Sequence, residues 1–208
     1  MADGLRERKK HQTRDAVTAA AHDLFRERGF DAVTVDEIAA AANVSPRTVF
    51  RYFGSKEAIL FGDHGERLEL IREAIAARPA GEPIMVVLRE AVIEITERTA
   101  EHRELQLTRT RLAASGASVT AYTQTVLIPL WEDALTEAVA ARLDVDPAVN
   151  IRPRLLAGTA ISAMSAASGL WLASNGDGDV VGLLHEAFDA LHDAVVESLP
   201  GAPADVGT

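Results

Sequence analysis

Polar and aromatic side chains are concentrated in a nine-residue segment, SPRTVFRYF, at positions 45–53. In a helix, Arg47 and Arg51 are four residues apart and share one face, while Thr48 and Tyr52 share the adjacent face. A guanidinium group can bind guanine in a bidentate manner, and threonine offers both a hydroxyl and a methyl group to a base edge. The segment therefore predicts hydrogen bonding to DNA.

Strong start and stop signals surround this segment. Thr34 and Glu37 have the spacing of a capping box, which begins a helix. Asn43 tolerates a left-handed turn, Ser45 can cap the next helix, and Pro46 suits its first position. Two short helices joined by a tight turn form a helix-turn-helix. A capped turn in an ordinary helical bundle, with its arginines and tyrosine simply solvated, is the alternative interpretation of this spacing.

The rest of the chain predicts an all-α fold. No strand-like alternation persists, and the Ala-, Leu-, Glu- and Arg-rich segments have helical periodicity. We expect helices at 11–28, 34–43, 45–53, 56–77, 83–100, 102–114, 117–142, 147–174 and 179–198, with a possible bend at Gly62 and Gly65 and a kink at Pro129. The predicted domains are 1–60, with the helix-turn-helix and a basic arm, and 61–200; a disordered tail is predicted at 201–208.

Composition and charge limit the classes of function. The 208 residues are 48% hydrophobic, enough for a packed core, and the absence of cysteine excludes disulfides, thiolate catalysis and Cys-ligated zinc. The net charge is −10, but residues 1–60 carry 10 basic and 9 acidic groups while the remainder is strongly acidic. This asymmetry is compatible with DNA contact at one end only.

The sequence shows no targeting or membrane signal. The charged N-terminus lacks the apolar region of a secretory signal. We also expect no apolar run that approaches the roughly 20 residues needed to span a membrane. We therefore expect a soluble, cytoplasmic protein that does not interact with membranes.

The segment at 34–57 closely resembles the DNA-binding domain of TetR-family transcriptional regulators. The matching residues are TVDEIA at 34–39, NVS at 43–45, TVFRYF at 48–53 and SKE at 55–57. The resemblance spans about residues 8–60, and it implies a bacterial homodimeric repressor with a three-helix DNA-binding domain and a helical ligand domain. The implied operator contacts are Thr34, Arg47, Thr48, Phe50, Arg51, Tyr52 and Lys56.

The resemblance is incomplete at one contact position, and the N-terminal arm allows two interpretations. Many relatives have tyrosine where this chain has Phe50, so a hydroxyl–phosphate bond is unavailable there. The basic arm before the first helix is similar to arms that enter the minor groove in some members, but a solvated, disordered end is an equally good interpretation.

The C-terminal region resembles the branch of the family that includes the mycofactocin regulators, through segments at 146–157, 171–177 and 183–191. That resemblance implies a small hydrophobic or acyl-CoA-like effector and no cofactor. An apolar pocket with a few polar groups is expected. Candidate lining residues are Met85, Leu88, Val92, Tyr122, Leu127, Trp131, Met164 and Trp171, with Arg109 or Arg111 for anionic groups. Ordinary core packing explains the same apolar spacing.

The last two predicted helices supply the predicted dimer interface. The stretch 155–173 is rich in Ala, Gly and Ser, which permits close helix approach. An isologous dimer requires a self-complementary apolar face, and the following helix offers one at helical spacing: Leu184, Phe188, Leu191 and Val195.

Two other classes of function stay open. His185, Asp189 and His192 lie on one predicted helix face and could ligate a metal in a metal-binding protein or metalloenzyme. The segment NGDGD at 175–179 imitates a calcium loop, but Val180 stands where that loop requires glycine, so a helix–helix turn is predicted. No catalytic motif is present, so we do not predict an enzyme. A DNA-independent helical interaction protein is the second alternative.

Overall fold

The computed structural model describes residues 2–99 and 102–197, and within these ranges it contains helices and connecting turns but no strand. The all-α prediction is confirmed. The helices are α1 (Ala2–Arg28), α2 (Val35–Ala41), α3 (Pro46–Phe53), α4 (Lys56–Leu60), α5 (His64–Ala77), α6 (Ile84–Arg98), α7 (Arg103–Ser115), α8 (Ala117–Tyr122), α9 (Ile128–Leu143), α10 (Arg152–Ala173) and α11 (Val180–Glu197). The predicted tail at 201–208 lies outside the described residues.

The chain forms two compact units, each discontinuous in sequence. Unit 1 comprises residues 1–67 and 104–126, and unit 2 comprises 68–103 and 127–208. The helix-turn-helix segment therefore shares its unit with α7 and α8, which come much later in the chain. The boundary at residue 60 stays a prediction about sequence domains.

The core of unit 1 is built on one face of α1. Val17, Ala21 and Phe25 recur at helical spacing and are at most 4% exposed, so they form one buried apolar face. They pack in one cluster with buried residues of the following helices, among them Ile38 and Val49. Truncating a core side chain of this size to alanine typically costs about 2–5 kcal/mol.

The first helix begins nine residues earlier than predicted. Leu, Arg, Glu and Lys dominate positions 5–10, and these residues have high helix propensity. The basic arm is consequently the first part of α1 rather than a separate or disordered segment. Arg8, Lys9 and Lys10 are exposed on it.

The predicted single helix at 56–77 is wrong, because residues 61–63 separate α4 from α5. At Gly62 the chain passes so close to α1 that an added Cβ would lie 2.5 Å from Thr18 Oγ1 and 3.1 Å from the Ile59 carbonyl oxygen. Asp63 lies in this break, and its carboxylate pairs with Arg109 of α7. We call residues 61–63 the α4–α5 joint.

The predicted helix at 117–142 is also interrupted. Residues 123–127 adopt a π-helical conformation between α8 and α9. Pro129 lies in the first turn of α9, where its missing N–H and fixed φ are tolerated. The irregularity therefore precedes the proline instead of being a kink centred on it.

Unit 2 has its own core, in which α10 packs against α9, α11 and α6. By length and composition α10 is long and apolar enough to cross a membrane, so the expectation that no apolar run reaches this length is wrong; core helices of soluble proteins meet the same criterion. Its start at Arg152 is later than the expected 147, because Asp146 and Asn150 accept hydrogen bonds from nearby backbone N–H groups in a turn.

Two of the four residues predicted for the dimer face on α11 are buried within the chain itself. Leu184 and Phe188 are only 3% and 4% exposed, because they pack in the core of unit 2. Leu191 is partly buried against the same cluster. Leu184 and Phe188 therefore stabilise the chain's own fold, and little of their surface is free to contact a second copy. The side chain of Val195 lies outside the described residues.

Candidate DNA interface

Local sequence signals position α3 relative to α2. The capping box is present: the Thr34 backbone N–H donates to Glu37 Oε2 at 2.8 Å, and the Thr34 hydroxyl accepts from the Glu37 N–H at 3.3 Å. The turn passes through Asn43, which has the predicted left-handed φ of 54°. Ser45 then caps α3, with Pro46 in the first turn. The helix-turn-helix backbone therefore forms as the sequence predicts.

The surface of α3 divides into an inner and an outer face. Val49 is 1% exposed and belongs to the core of unit 1. Arg47, Phe50 and Arg51 are exposed on the opposite face, and Phe50 has 52% of its surface accessible. We call these three residues the outer face of α3. It presents two guanidinium groups and one aromatic ring.

Three predicted contact residues are partly engaged within the protein. The Thr48 hydroxyl lies 2.9 Å from the Ser45 hydroxyl. The Arg51 guanidinium lies over the Tyr52 ring at 4.8 Å and donates to the Tyr52 hydroxyl at 3.3 Å. Such cation–π contacts restrict an otherwise mobile arginine side chain. Arg51 and Tyr52 therefore form one preorganised pair.

Lys56 has a structural role that the sequence did not indicate. Its Nζ donates to the carbonyl oxygens of Phe30 at 2.8 Å and Val33 at 3.0 Å, and it lies 4.3 Å from the centre of the Phe30 ring. The ammonium group thus joins the start of α4 to the connection between α1 and α2. Its implied operator contact stays a prediction, with one donor hydrogen of the ammonium group remaining for it.

Thr34 is exposed at the start of α2, but its hydroxyl belongs to the capping box. The hydrogen bond from the Thr34 backbone N–H, with further bonds from Arg28 and the Thr34 hydroxyl, lowers the pKa of Glu37 from 4.5 to about 2. The carboxylate also forms an ion pair with Arg28 at 2.8 Å. Near neutral pH this end of α2 is held in its charged, capped state.

Arg14 is a residue that sequence reasoning missed. Its guanidinium donates to the carbonyl oxygens of Tyr52 at 3.1 Å and Gly62 at 3.3 Å, and it lies over the Phe53 ring at 4.8 Å. It therefore attaches α1 to the C-terminal end of α3 and to the α4–α5 joint. No spacing signal distinguishes it, because its partners are 38 and 48 residues away in sequence.

The predicted ligand residues are divided between the two units. Arg109, Arg111 and Tyr122 belong to unit 1, and Met85, Leu88, Val92, Leu127, Trp131, Met164 and Trp171 belong to unit 2. The two arginines differ in exposure: Arg109 is 3% exposed, whereas Arg111, two residues later on α7, is exposed.

Arg109 is committed to the protein. It donates to both carboxylate oxygens of Asp63, at 2.6 and 3.1 Å, and to the Leu60 carbonyl oxygen at 2.8 Å. Burial alone would raise the pKa of Asp63, but the charge and hydrogen bonds of Arg109, with the charge of Arg67, lower it below its usual value. The Phe61 ring lies beside this pair and stacks on Tyr122. These contacts hold α7 to the α4–α5 joint.

In unit 2, the predicted ligand residues differ in their availability. Leu88, Val92 and Leu127 are buried, and the first two belong to the core. Trp171 is also buried, and its indole N–H donates to the Gly176 carbonyl oxygen at 2.9 Å, which closes the turn after α10. Met85, Trp131 and Met164 are half-buried at the edge of the core.

Among the residues that the structure describes, the metal-ligand candidates of α11 do not form a cluster. No three His, Asp or Glu side chains within residues 2–99 and 102–197 come together as a metal site. Asp189 instead pairs with Arg89 at 3.2 Å. The NGDGD segment is a turn in which Asn175 and Gly176 have positive φ, as predicted for a helix–helix connection.

The fold and the outer face of α3 define a helix-turn-helix DNA-binding protein. Comparison with known families makes this more specific. The family described as "Bacterial regulatory proteins, tetR family" matches residues 17–62, and the MftR C-terminal domain matches residues 82–196, more than half of the chain. The chain belongs to the TetR family of bacterial transcriptional regulators and has an MftR-type C-terminal domain.

Individual relatives agree with this assignment. The chain is 43% identical over 79 residues to the HTH-type transcriptional regulator TcmR of Streptomyces glaucescens. This matched segment covers 38% of this chain and only 35% of the length of TcmR. It is 28% identical over 169 residues to MftR of Mycobacterium tuberculosis, a transcriptional regulator named for mycofactocin biosynthesis, covering 79% and 82% of the two chains.

Among solved structures, the TetR-family repressor FadR of Thermus thermophilus, in complex with lauroyl-CoA, has a TM-score of 0.64 and 27% identity, covering 93% of this chain and 100% of that one. A TetR-family protein of Syntrophomonas wolfei has a TM-score of 0.63 at 18% identity, covering 95% and 99%, and supports the fold alone.

Proposed function

We propose that this regulator is a ligand-responsive repressor that binds a palindromic operator as a homodimer and is released by a small hydrophobic or acyl-CoA-like effector. The observation that carries the proposal is the outer face of α3, where Arg47, Phe50 and Arg51 extend away from a well-packed unit. In a dimer, two such helices would enter successive major grooves, about 34–36 Å apart.

Charge distribution supports DNA contact through this region only. Residues 1–60 carry slightly more basic than acidic groups, although the whole chain has a net charge of −10. Arg8, Lys9 and Lys10 add three exposed basic side chains in the first turns of α1. Acidic surfaces elsewhere would repel the phosphate backbone and limit non-specific association.

The proposed dimer uses the exposed face of α10 rather than the buried face of α11. Leu155 and Leu170 are 63% and 60% exposed, and small side chains lie between them on the same face. We call this face the α10 stripe; it consists of Leu155, Thr159, Ser162, Ala166, Leu170 and Ala173. Its spacing of three and four residues gives one continuous surface, and small residues permit close approach of a partner helix.

The proposed effector has an apolar chain. The supporting observation is the likeness to a FadR repressor whose structure contains lauroyl-CoA. In unit 2, the half-buried Met85, Trp131 and Met164 are candidate contacts, because each packs against the core without being fully enclosed by it. An effector releases DNA only if it binds the non-binding conformation more tightly than the DNA-binding one.

Selection of tight-binding duplexes from a random DNA pool, at two salt concentrations, tests the central proposal. An enriched palindrome is the expected result, with weaker binding at the higher salt concentration because Arg and Lys neutralise phosphates. Failure to enrich any sequence, even at the lower salt concentration and after extraction of bound small molecules, would contradict the proposal and favour the interaction-protein hypothesis.

A separate titration tests the effector. Lauroyl-CoA, free CoA and laurate are added to the complex of the full chain with the selected duplex, and release is followed by fluorescence anisotropy. Release by lauroyl-CoA but not by free CoA is expected. Release by none of the three would contradict the acyl-CoA part of the proposal and leave the operator result unaffected.

A further inference from the structure

Phe50 is an unusual member of the outer face of α3. At 52% exposure, Phe50 is the one large apolar side chain among the described residues of unit 1 that is exposed to solvent. The corresponding exposed side chains of unit 2 are Leu130, Val149, Ile151, Leu155 and Leu170. Its neighbour Val49 is 1% exposed, and Phe53 packs against the core of unit 1. The helix therefore directs one phenylalanine inward and the other to solvent.

A single exposed apolar side chain is common and does not by itself indicate a partner. The residues beside Phe50 distinguish it from an ordinary exposed apolar side chain. Arg47 precedes Phe50 by one helical turn and Arg51 follows it directly, and both are exposed. A protein partner that covered the ring would also bury two guanidinium charges, which is costly without paired acids. A surface that is both anionic and locally apolar fits this face better.

The DNA major groove has this combination. Phosphates and guanine acceptors can bind the two arginines, and the 5-methyl group of thymine is the apolar group that the base edges offer. The phenyl ring has no donor or acceptor, so it cannot bind a phosphate or a base edge by an ordinary hydrogen bond. Contact with a methyl group is therefore the specific interaction available to it.

We propose that Phe50 is a specificity-determining residue that contacts the 5-methyl group of one thymine in each operator half-site. The inference rests on the proposed function, and it adds a base type and a functional group to it. Thr48 is the competing candidate, since its side chain also carries a methyl group. However, Thr48 is half-buried, and its hydroxyl is directed to Ser45 at 2.9 Å.

Deoxyuridine substitution isolates the methyl group, because it removes only that group and keeps base pairing. In the selected duplex, each thymine is replaced symmetrically in both half-sites, one position at a time, and the affinity of the full chain is measured. One position should weaken wild-type binding by roughly fourfold per half-site, or roughly 15-fold in total, from the usual value of a buried methyl group.

Variants assign that effect to a residue. Phe50→Ala should bind more weakly and lose its sensitivity to that one substitution, whereas Phe50→Tyr and the control Thr48→Ser should retain it. Measurement at reduced salt keeps the weaker variant within range. Circular dichroism and thermal unfolding should match wild type, because the ring is exposed.

Three results would overturn the inference. No deoxyuridine position weakens binding; or Phe50→Ala remains as sensitive as wild type; or Thr48→Ser alone loses the sensitivity. Failure of the proposed function is recognisable separately, because no duplex would then be enriched from the random pool, and the assignment of Phe50 would fail with it.

Discussion

At the scale of single residues, the two arginines of α3 differ in preorganisation. Arg51 lies against the Tyr52 ring, whereas Arg47 is exposed in the first turn of the helix. Arg47→Ala should weaken operator binding by about 1–3 kcal/mol and relax specificity at one base position. Repeating the random-pool selection with the variant measures both effects. Arg26→Ala, which removes an exposed arginine of α1 paired with Asp23, is the matched control and should leave the selected sequence unchanged.

Lys56 should affect both folding and DNA binding. Lys56→Met keeps the aliphatic stem but removes the donor shared by the Phe30 and Val33 carbonyl oxygens, so the free energy of unfolding should fall by about 1–3 kcal/mol. Denaturant unfolding measures this loss. If the ammonium group also contacts a phosphate, the salt dependence of binding measured well below the melting temperature should be less steep. Unchanged unfolding would show that these two hydrogen bonds contribute little.

The capping carboxylate of α2 should make stability dependent on pH. The pKa of Glu37 is lowered from 4.5 to about 2, so its contribution is complete above about pH 4.5 and is lost as the pH falls toward 2. Wild type should therefore melt at a higher temperature than Glu37→Gln near pH 6, and the difference should shrink between pH 4.5 and 2. A difference that stays constant over this range would exclude the charged capping box as its source.

At the scale of elements, the α4–α5 joint can be tested with a pair of glycines. Gly62→Ala would place a Cβ 2.5 Å from Thr18 Oγ1, with the Ile59 carbonyl oxygen also close, and should destabilise the chain by about 1–3 kcal/mol. Gly65→Ala is the control, since nothing lies within 4 Å of its Cβ position in α5. It should be neutral or stabilising by up to about 1 kcal/mol. Equal effects of the two substitutions would contradict the close approach at Gly62.

The ion pair between α7 and the joint should be more important than an ordinary surface pair. Arg109→Met removes the donor to both Asp63 carboxylate oxygens and leaves this 31% exposed carboxylate with the charge of Arg67, so the free energy of unfolding should fall by about 1.5–3 kcal/mol. Arg111→Met, two residues away on the exposed side of α7, should change stability by less than about 1 kcal/mol. Chemical denaturation of both variants provides the comparison, and similar values would show that burial of Arg109 is unimportant.

At the scale of the whole molecule, local signals and long-range contacts differ in what the sequence reveals. The capping box at Thr34, the turn at Asn43 and the cap at Ser45 were predictable, because each depends on residues within a few positions. The roles of Arg14, Lys56 and Arg109 were not, because their partners lie 23 to 49 residues away. The same limit explains α11: its apolar spacing was recognised, but periodicity cannot distinguish a face that fills the core from one that binds a second chain.

The proposed dimer predicts different results for charged substitutions on the exposed α10 stripe and on the buried face of α11. Leu155→Glu combined with Leu170→Glu places charges on the exposed α10 stripe, so the chain should stay helical but sediment as a monomer and lose affinity for the palindrome. Ala76→Glu, at an exposed site on α5, is the matched control and should stay dimeric. Leu184→Glu buries a charge in the core of unit 2 and should unfold that unit instead. A folded monomer from Leu184→Glu, with a dimer retained by the α10 variant, would return the interface to α11.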